Sequence, residues 1–378
     1  MKTNTWPDCL YLNFRKYTFE TILQNKYLSE SLNESEKQCL DFCQEWLSGK
    51  AVFMGQTSGS TGKPKPIKLQ RARMEASALA TAQALDLKPG DKSLVCIPTH
   101  YIGGQMMLVR GLVLGLELHI IEPVSNPFKI YQKKYDSIGF HVDFTALVPL
   151  QLQTMLDESP ESINQFLNPM KAILVGGAPV SEALHRQIQA VKSPMYHTYG
   201  MTETVSHIAL KKLNGADATE YFFTLDQVEI AQDDQECLRI KAPQTGGVWI
   251  QTRDRVKITA KNRFEWLGRV DFVINTGGVK VQGEYIEQCV AKVLDQLQIQ
   301  RDFFVYGLPH ASLGQELCLV LEGDSFSKDQ ELALKTALKE NLKKYEIPRK
   351  IFYLDQFIRT ETSKIQKEAS LQKIMTSF

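Results

Sequence analysis

The chain has 378 residues with 44 basic and 43 acidic side chains, which leaves a formal net charge of +1. This balance argues against a nucleic-acid partner. The most apolar stretch, residues 106–121, is interrupted by Arg110, Glu117 and His119 and is too short to span a bilayer. We therefore expect a buried helix followed by a strand there, and the length of the chain favours two domains over one.

Charged and apolar residues interleave at helical spacing over residues 34–47, and we predict that residues 1 to about 50 are helical. Between about 50 and 265, short apolar runs such as residues 93–97 and 145–148 alternate with helical segments. This alternation predicts a layered α/β domain.

Seven cysteines are scattered over positions 9, 39, 43, 96, 237, 289 and 318. Only Cys39 and Cys43 lie close together, and no second pair completes a zinc site. The pattern predicts reduced thiols in a cytoplasmic protein. The first residues contain no apolar signal segment, which agrees with that compartment.

Residues 57–65 read Thr-Ser-Gly-Ser-Thr-Gly-Lys-Pro-Lys and follow a short apolar run. Glycines let the backbone approach an anion, hydroxyls add donors, and lysines add positive charge, so the segment predicts a loop that holds polyphosphate. It is not the P-loop of many kinases and ATPases, because Thr57 replaces its first glycine and Pro64 replaces its magnesium-binding hydroxyl. A Ser/Gly-rich surface turn is the structural alternative.

Residues 198–204 place several useful groups within seven positions. Tyr199 offers a flat face for stacking on a base, and Gly200 permits a close approach. Thr202 offers a hydroxyl to a phosphate, and Glu203 offers the hard oxygen that Mg²⁺ prefers. A solvated surface loop is the alternative for any one of these residues alone.

Two longer patterns predict local structure. Residues 173–184 read as a strand, a Gly-Gly-Ala-Pro turn and a capped helix start, and residues 267–287 as two strands, a Gly-Gly hairpin and a helix start. Beyond them the sequence predicts a helix at 284–296, strands at 302–307, 316–322 and 350–354, and a helix at 327–345.

Together these segments resemble the signature motifs of the adenylate-forming superfamily, which includes acyl-CoA synthetases, firefly luciferase and nonribosomal peptide adenylation domains. They occur in the family's order and cover most of the chain. Residues 248–254 resemble the family's Thr-Gly-Asp segment, with Arg253 in place of Gly. Residues 357–365 resemble its Pro-Arg-Thr-x-x-Gly-Lys segment, with Ile358 and Ser363 in place of Pro and Gly.

The resemblance implies an α/β fold with a large layered domain, residues 1–270, and a small mobile α+β domain, residues 271–378. In typical members the phosphate loop lies well over a hundred residues into the chain, whereas here it begins at Thr57. We therefore expect an N-terminal subdomain that is reduced, and a homodimer stays open as an assembly.

The family's roles are carried over residue by residue. The resemblance assigns the catalytic role to Lys364, and Lys367 is the alternative. Thr202 and Glu203 are the other catalytic residues that it implies, and Glu203 would also hold Mg²⁺. Asp271 is the hinge. The residues that would bind ATP and coenzyme A are Thr57, Ser58, Gly59, Ser60, Thr61, Gly62, Lys63, Lys65, Gly176, Gly177, Ala178, Pro179, Tyr199, Gly200, Asp254, Arg269, Gly277 and Gly278.

The implied activity is an ATP-dependent acid–CoA ligase that works through an acyl adenylate. Three alternatives are kept open: another acid, a carrier protein as the thiol acceptor, and a catalytically silent nucleotide-binding protein. The run from residue 198 to 207 is similar to that of the compact o-succinylbenzoate–CoA ligases of menaquinone biosynthesis.

The acid pocket is expected near His100, Gly103 and His207, although a histidine that only completes a strand end is an equal alternative for His100. The second carboxylate of o-succinylbenzoate would need donors, for which His207, Gln151 and Gln153 are candidates.

Overall fold

The computed structural model describes residues 7–56, 66–135, 139–159, 162–359 and 365–375. The strands are β1 (Cys9–Leu12), β2 (Arg15–Thr18), β3 (Val52–Gln56), β4 (Pro66–Gln70), β5 (Lys92–Val95), β6 (Glu117–Ile120), β7 (Phe144–Leu147), β8 (Ala172–Val175), β9 (Met195–Gly200), β10 (His207–Lys212), β11 (Phe222–Thr224), β12 (Glu229–Gln232), β13 (Cys237–Lys241), β14 (Ile250–Ala260), β15 (Arg263–Arg269), β16 (Val273–Thr276), β17 (Val279–Gln282), β18 (Phe303–His310), β19 (Gly314–Glu322) and β20 (Lys350–Leu354). The helices are α1 (Phe19–Leu23), α2 (Glu34–Leu47), α3 (Arg71–Leu85), α4 (Ile102–Leu114), α5 (Pro127–Tyr135), α6 (Pro149–Glu158), α7 (Ile163–Leu167), α8 (Glu182–Ile188), α9 (Gly283–Gln296), α10 (Lys328–Asn341) and α11 (Lys367–Met375). Among these helices, none combines the length and the apolar character that crossing a bilayer requires.

The larger sheet has the strand order β12-β13-β14-β15-β11-β10-β9-β8-β7-β5-β6-β1-β2. Its central strands β9, β8, β7, β5 and β6 pair in parallel, so their carboxyl ends meet at one edge. Parallel strands bury both faces under helices, and β8 has four buried residues in a row. In such sheets ligands bind beyond the carboxyl ends of the strands, and this edge is where the site is expected. The predicted layered α/β fold is confirmed.

The first fifty residues are only partly helical. The prediction of helix for residues 1 to about 50 was wrong for residues 9–18, which form two strands. Residues 9–18 form the β1–β2 hairpin, and β1 adds in parallel to β6 at the end of the sheet. Leu10 and Leu12 are buried and Tyr11 between them is exposed, which is the period of two that belongs to a strand. The helix α2 begins at Glu34, where Asn33 and Glu36 form a capping box.

The second sheet has the order β17-β16-β19-β18, with β20 paired to β19. Helices α9 and α10 pack on it over a core that includes Ile286, Val290, Leu319 and Leu334. The elements lie close to their predicted bounds, and β20 coincides with the predicted strand at 350–354.

The two sheets are joined by a short 3-10 turn, Val270–Phe272. Across this junction Arg186 of α8 forms an ion pair with Asp295 of α9, and the Gln282 amide donates to the Arg269 carbonyl oxygen. We propose that the domains divide at residue 270, which the separate sheets support; mobility of the second part stays a prediction.

Residues 106–121 form the predicted buried helix and strand, α4 and β6. The structure records all seven cysteines as free thiols, and Cys39 and Cys43 are buried on one face of α2. Helix α4 begins with Ile102-Gly103-Gly104 and packs directly on the chain that leaves β5. A Cβ atom placed on Gly104 would overlap the Pro98 carbonyl oxygen and lie 2.7 Å from the Thr99 Cα atom.

We expect Gly104→Ala to lower the free energy of unfolding by about 1–3 kcal/mol, because backbone atoms cannot give way as a flexible side chain can. Gly103→Ala is the matched control: its new methyl group would have Ile97 as its nearest neighbour at 3.7 Å, an ordinary contact. Urea denaturation followed by circular dichroism compares the two variants. Equal midpoints for both would contradict the packing argument.

Candidate active site

Two of the predicted functional segments lie outside the described residues. These are the phosphate loop at 57–65 and the catalytic lysine Lys364. The strands on either side of the loop form an antiparallel pair in which Gln56 is the partner of Pro66. The alternative lysine, Lys367, lies at the start of α11, where its ammonium group is 2.7 Å from Glu287 Oε1 and 3.6 Å from the centre of the Phe272 ring.

The Gly-Gly-Ala-Pro turn follows β8, and the Tyr-Gly segment ends the neighbouring strand β9. Ser181 caps the helix after this turn, as predicted, by accepting from the Leu184 N–H group. His197 Nε2 lies 3.3 Å from the Ala178 carbonyl oxygen, which ties the turn to β9. Gly176, Gly177, Ala178 and Pro179 are thus brought next to Tyr199 and Gly200, as the sequence predicts for a single site.

Asp254 is a buried carboxylate that gathers three donors. The Tyr199 hydroxyl donates to it at 2.7 Å, Trp266 Nε1 lies at 3.4 Å and Arg269 Nη1 at 3.5 Å. Burial and the Asp254 charge raise the pKa of Tyr199 well above its ordinary value, so Tyr199 stays protonated and donates. Arg253, the departure from the family pattern, is exposed on the opposite face of strand β14 and leaves Asp254 pointing inward.

Arg269 connects Asp254 to the junction between the two sheets. Its Nε and Nη2 atoms each donate to Asp271 at 2.8 Å, a bidentate pair. This bond lowers the pKa of the Asp271 carboxyl and raises that of Arg269. Arg269, which the family resemblance assigns to nucleotide binding, therefore contacts Asp271, the predicted hinge residue, directly.

Thr202 and Glu203 lie in a 3-10 turn directly after β9. Thr204 is buried and holds the turn through the Met201 N–H group, whereas Thr202 is half-buried and Glu203 is exposed. Within the described ranges Glu203 has no ion pair, and no group of three His, Cys, Asp or Glu side chains converges on a metal site. A magnesium ion at Glu203 would thus take most of its ligands from water and phosphate, which is its usual habit.

Gly277 and Gly278 form the tip of the β16–β17 hairpin with φ of +61° and +78°. Positive φ at both positions is the requirement of a tight two-residue hairpin, and glycine meets it without strain. The Gly277 N–H group donates to the Leu313 carbonyl oxygen at 2.9 Å, and the ring of Tyr345 lies next to the tip. The predicted hairpin is confirmed, and its role toward the thiol stays a prediction.

The predicted acid-binding residues differ in their surroundings. His100 is exposed, and it lines a cavity of about 200 Å³ with Ile97 and Ile121 beyond the ends of β5 and β6. Gly103 is also exposed, in the first turn of α4. His207 is buried, with Nε2 3.2 Å from Thr81 Oγ1 and Nδ1 3.4 Å from Ser206 Oγ.

The two glutamines are held by protein groups. Gln151 donates to the Cys96 and Val124 carbonyl oxygens at 2.9 and 3.0 Å. Gln153 donates to Asp157 and Gln187. Neither side chain is free to receive a substrate carboxylate.

Arg110 is the residue near the site that the motifs did not assign. Its guanidinium lies next to His207 in the interior, and the described part of the chain supplies it with no carboxylate. The signal was present in the sequence, because Arg110 is the charged residue that interrupts the otherwise apolar run before Glu117.

The chain matches the AMP-binding enzyme family over residues 18–257, which is more than half of its length, and it belongs to that family. It is 27% identical over 375 residues to the 2-succinylbenzoate–CoA ligase of Geobacillus sp. (strain WCH70), covering 91% of this chain and 73% of the relative. The 2-succinylbenzoate–CoA ligase of Bacillus mycoides (strain KBAB4) is 25% identical over 369 residues, and the match covers 88% of this chain and 72% of that relative.

Among solved structures, the chain is similar to an acyl-CoA synthetase (AMP-forming)/AMP-acid ligase II-like protein from Dyadobacter fermentans DSM 18053. The two are 41% identical with a TM-score of 0.59, over 92% of this chain and 97% of that one. The fold is also that of o-succinylbenzoate–CoA synthetase from Bacillus subtilis, with 23% identity, a TM-score of 0.66 and coverage of 83% and 68%. The protein is therefore an enzyme of the AMP-forming acid–CoA ligase class.

We expect Asp254→Asn to weaken AMP binding about 10- to 100-fold, because a hydrogen bond to a charged acceptor contributes about 1.5–3 kcal/mol. Isothermal titration calorimetry with AMP measures the change. Asp217→Asn is the control, since Asp217 is an exposed carboxylate paired with Lys212. Unchanged affinity in a folded Asp254→Asn variant would remove Asp254 from the nucleotide site.

Proposed function

We propose that the enzyme is an o-succinylbenzoate–CoA ligase that acts in menaquinone biosynthesis. The observation that carries the choice of acid is the likeness to ligases of that name over about nine tenths of the chain. The geometry supports the adenylating half-reaction, because the turn after β8, the end of β9 and the carboxylate of Asp254 converge on one side of the larger sheet.

The residues present fit ATP and Mg²⁺. Asp254 has a buried carboxylate positioned by Tyr199, and a carboxylate is the group that accepts from ribose hydroxyls. Glu203 follows Tyr199 by four positions in the chain, is exposed, and would hold Mg²⁺, which screens phosphate charge when bound. Lys63 and Lys65 would hold the leaving phosphates.

In the first step a substrate carboxylate oxygen attacks the α-phosphorus of ATP, and the bond to pyrophosphate breaks. Two anions approach each other, so charge neutralisation dominates the catalysis. We assign Lys364 to the developing charge at the α-phosphate. In the second step the thiol of CoA attacks the acyl carbonyl and AMP leaves.

We assign Asp271 to the hinge between the steps and the tip at Gly277 and Gly278 to the path of the thiol. The bidentate bond from Arg269 to Asp271 supports the hinge assignment, because it places a charged contact of the nucleotide site at the junction of the two sheets.

Thioester formation with ATP, CoA and o-succinylbenzoate tests the proposal, with benzoate, acetate and a medium-chain fatty acid run in parallel. Selective turnover of o-succinylbenzoate is the expected result. Turnover of another acid instead would contradict a role in menaquinone biosynthesis and would still agree with an acid–CoA ligase. Pyrophosphate release without a thioester would indicate a carrier-protein acceptor, and nucleotide binding without pyrophosphate release would indicate a silent homologue.

We expect Lys364→Ala to lower the rate of adenylation by about 10²-fold or more, by analogy with the loss of a transition-state donor. It should leave thioester formation from supplied acyl adenylate and CoA nearly unchanged. Pyrophosphate release and thioester formation are measured separately, with Lys339→Ala, an exposed lysine of α10, as the control.

Loss of both half-reactions in Lys364→Ala would refute the division of labour between the two conformations. If Lys367→Ala lowers the rate of adenylation and Lys364→Ala does not, Lys367 is the catalytic lysine. In the structure the Lys367 ammonium group donates to Glu287.

A further inference from the structure

The ion pair between Arg186 and Asp295 joins the larger part of the chain, up to residue 270, to the smaller part that follows. Arg186 lies on α8 in the larger part, and Asp295 lies near the end of α9 in the smaller part. The two terminal nitrogens of the guanidinium donate to the carboxylate, one to each oxygen, which is a bidentate arrangement. Among the described residues, the only other ion pair between the two parts is that of Arg269 with Asp271, at the covalent junction itself.

The surroundings of the Arg186–Asp295 pair give it little apolar support. A cavity of about 510 Å³ opens beside it, and the two charged residues line this cavity with Gln298, Ile299 and Gln300. The Arg186 side chain is 56% exposed and the Asp295 side chain is 29% exposed. An ion pair in such a setting changes an equilibrium by about 2- to 5-fold, and salt weakens it. The pair therefore biases the position of the smaller part without fixing it.

In the observed orientation the hairpin tip at Gly277 and Gly278 has its nearest neighbours in the smaller part. A Cβ atom placed on Gly277 would lie 3.4 Å from the ring of Tyr345 and 3.5 Å from Leu313. One placed on Gly278 would have no heavy atom of the described residues within 4 Å, and both glycines are exposed. The tip therefore does not reach the larger sheet in this orientation.

The tip and Asp295 belong to one packed unit. Helix α9 begins at Gly283, directly after β17, and packs on the smaller sheet through the buried side chains of Ile286 and Val290. Asp295 lies ~18 Å along this helix from Gly283, at 1.5 Å per residue. Because an ion pair is lost beyond a separation of about 4 Å, a rotation that brings the tip to the larger sheet also separates Asp295 from Arg186.

We propose that Arg186 and Asp295 are positioning residues: their ion pair holds the smaller part in an orientation that keeps the hairpin tip away from the path of the thiol, and it breaks before thiol transfer. This inference rests on the proposed two-step function. The strength of the pair then sets the fraction of molecules that are ready for the second step, so a weaker pair speeds that step.

The test measures the single-turnover rate constant for thioester formation from CoA and a supplied acyl adenylate. The adenylate is that of o-succinylbenzoate, or of whichever of the other three acids named above the wild type activates. We expect Asp295→Asn and Arg186→Gln each to raise this rate constant about 2- to 5-fold, the factor by which an exposed ion pair biases an equilibrium. About 1 M NaCl should narrow the difference between wild type and each variant, because salt screens a pair that only the wild type contains.

Two further variants separate the pair from other roles of these side chains. The charge-swapped double variant, Arg186→Asp with Asp295→Arg, restores an ion pair of opposite polarity and should return the rate constant toward that of the wild type. Arg15→Gln is the matched control, because the Arg15 side chain is 54% exposed and pairs with Glu30 away from the junction. Its rate constant should equal that of the wild type.

Unchanged or lowered rate constants in both Asp295→Asn and Arg186→Gln would overturn the inference and leave the ligase assignment intact. An increase that the charge-swapped variant does not reverse would also overturn it. If the wild type forms no thioester from any of the four acids, the proposed function and this inference fail together.

Discussion

The hydrogen bond from Tyr199 to Asp254 is the contact on which the geometry of the site depends. Three strands separate β9 from β14 in the order of the larger sheet. At ~4.8 Å between neighbours, a flat sheet would hold these strands ~19 Å apart, far beyond the reach of a tyrosine. The observed distance of 2.7 Å therefore requires this part of the sheet to curl on itself.

The curl has an apolar interior that stabilises it. Phe222 and Phe264, on strands between β9 and β14, stack with their ring centres 5.5 Å apart, and the ring of Tyr199 contacts both. Burying these rings brings the Asp254 carboxylate and the end of β9 to one place. Arg269 then joins that place to Asp271, so the residues predicted to bind the nucleotide and the junction of the two sheets form one charged network.

Local patterns in the sequence predicted the elements well where one segment contains all the information. The cap at Ser181 and the Gly277–Gly278 hairpin are of this kind. The hairpin at residues 9–18 was missed because its alternation spans only four residues in each strand and its partner, β6, lies about a hundred residues away. The site was predictable as a set of motifs through the family resemblance, whereas the contact between Tyr199 and Asp254 depends on the curl of the sheet and is not encoded locally.

The surroundings of Arg110 show the same limit of local patterns. Its neighbours Thr81, Ser206 and His207 come from α3 and the start of β10, so no window of sequence contains them together with α4. The sequence shows a charged residue in an apolar run, but only the fold shows that the guanidinium is buried beside neutral groups, an arrangement that costs stability.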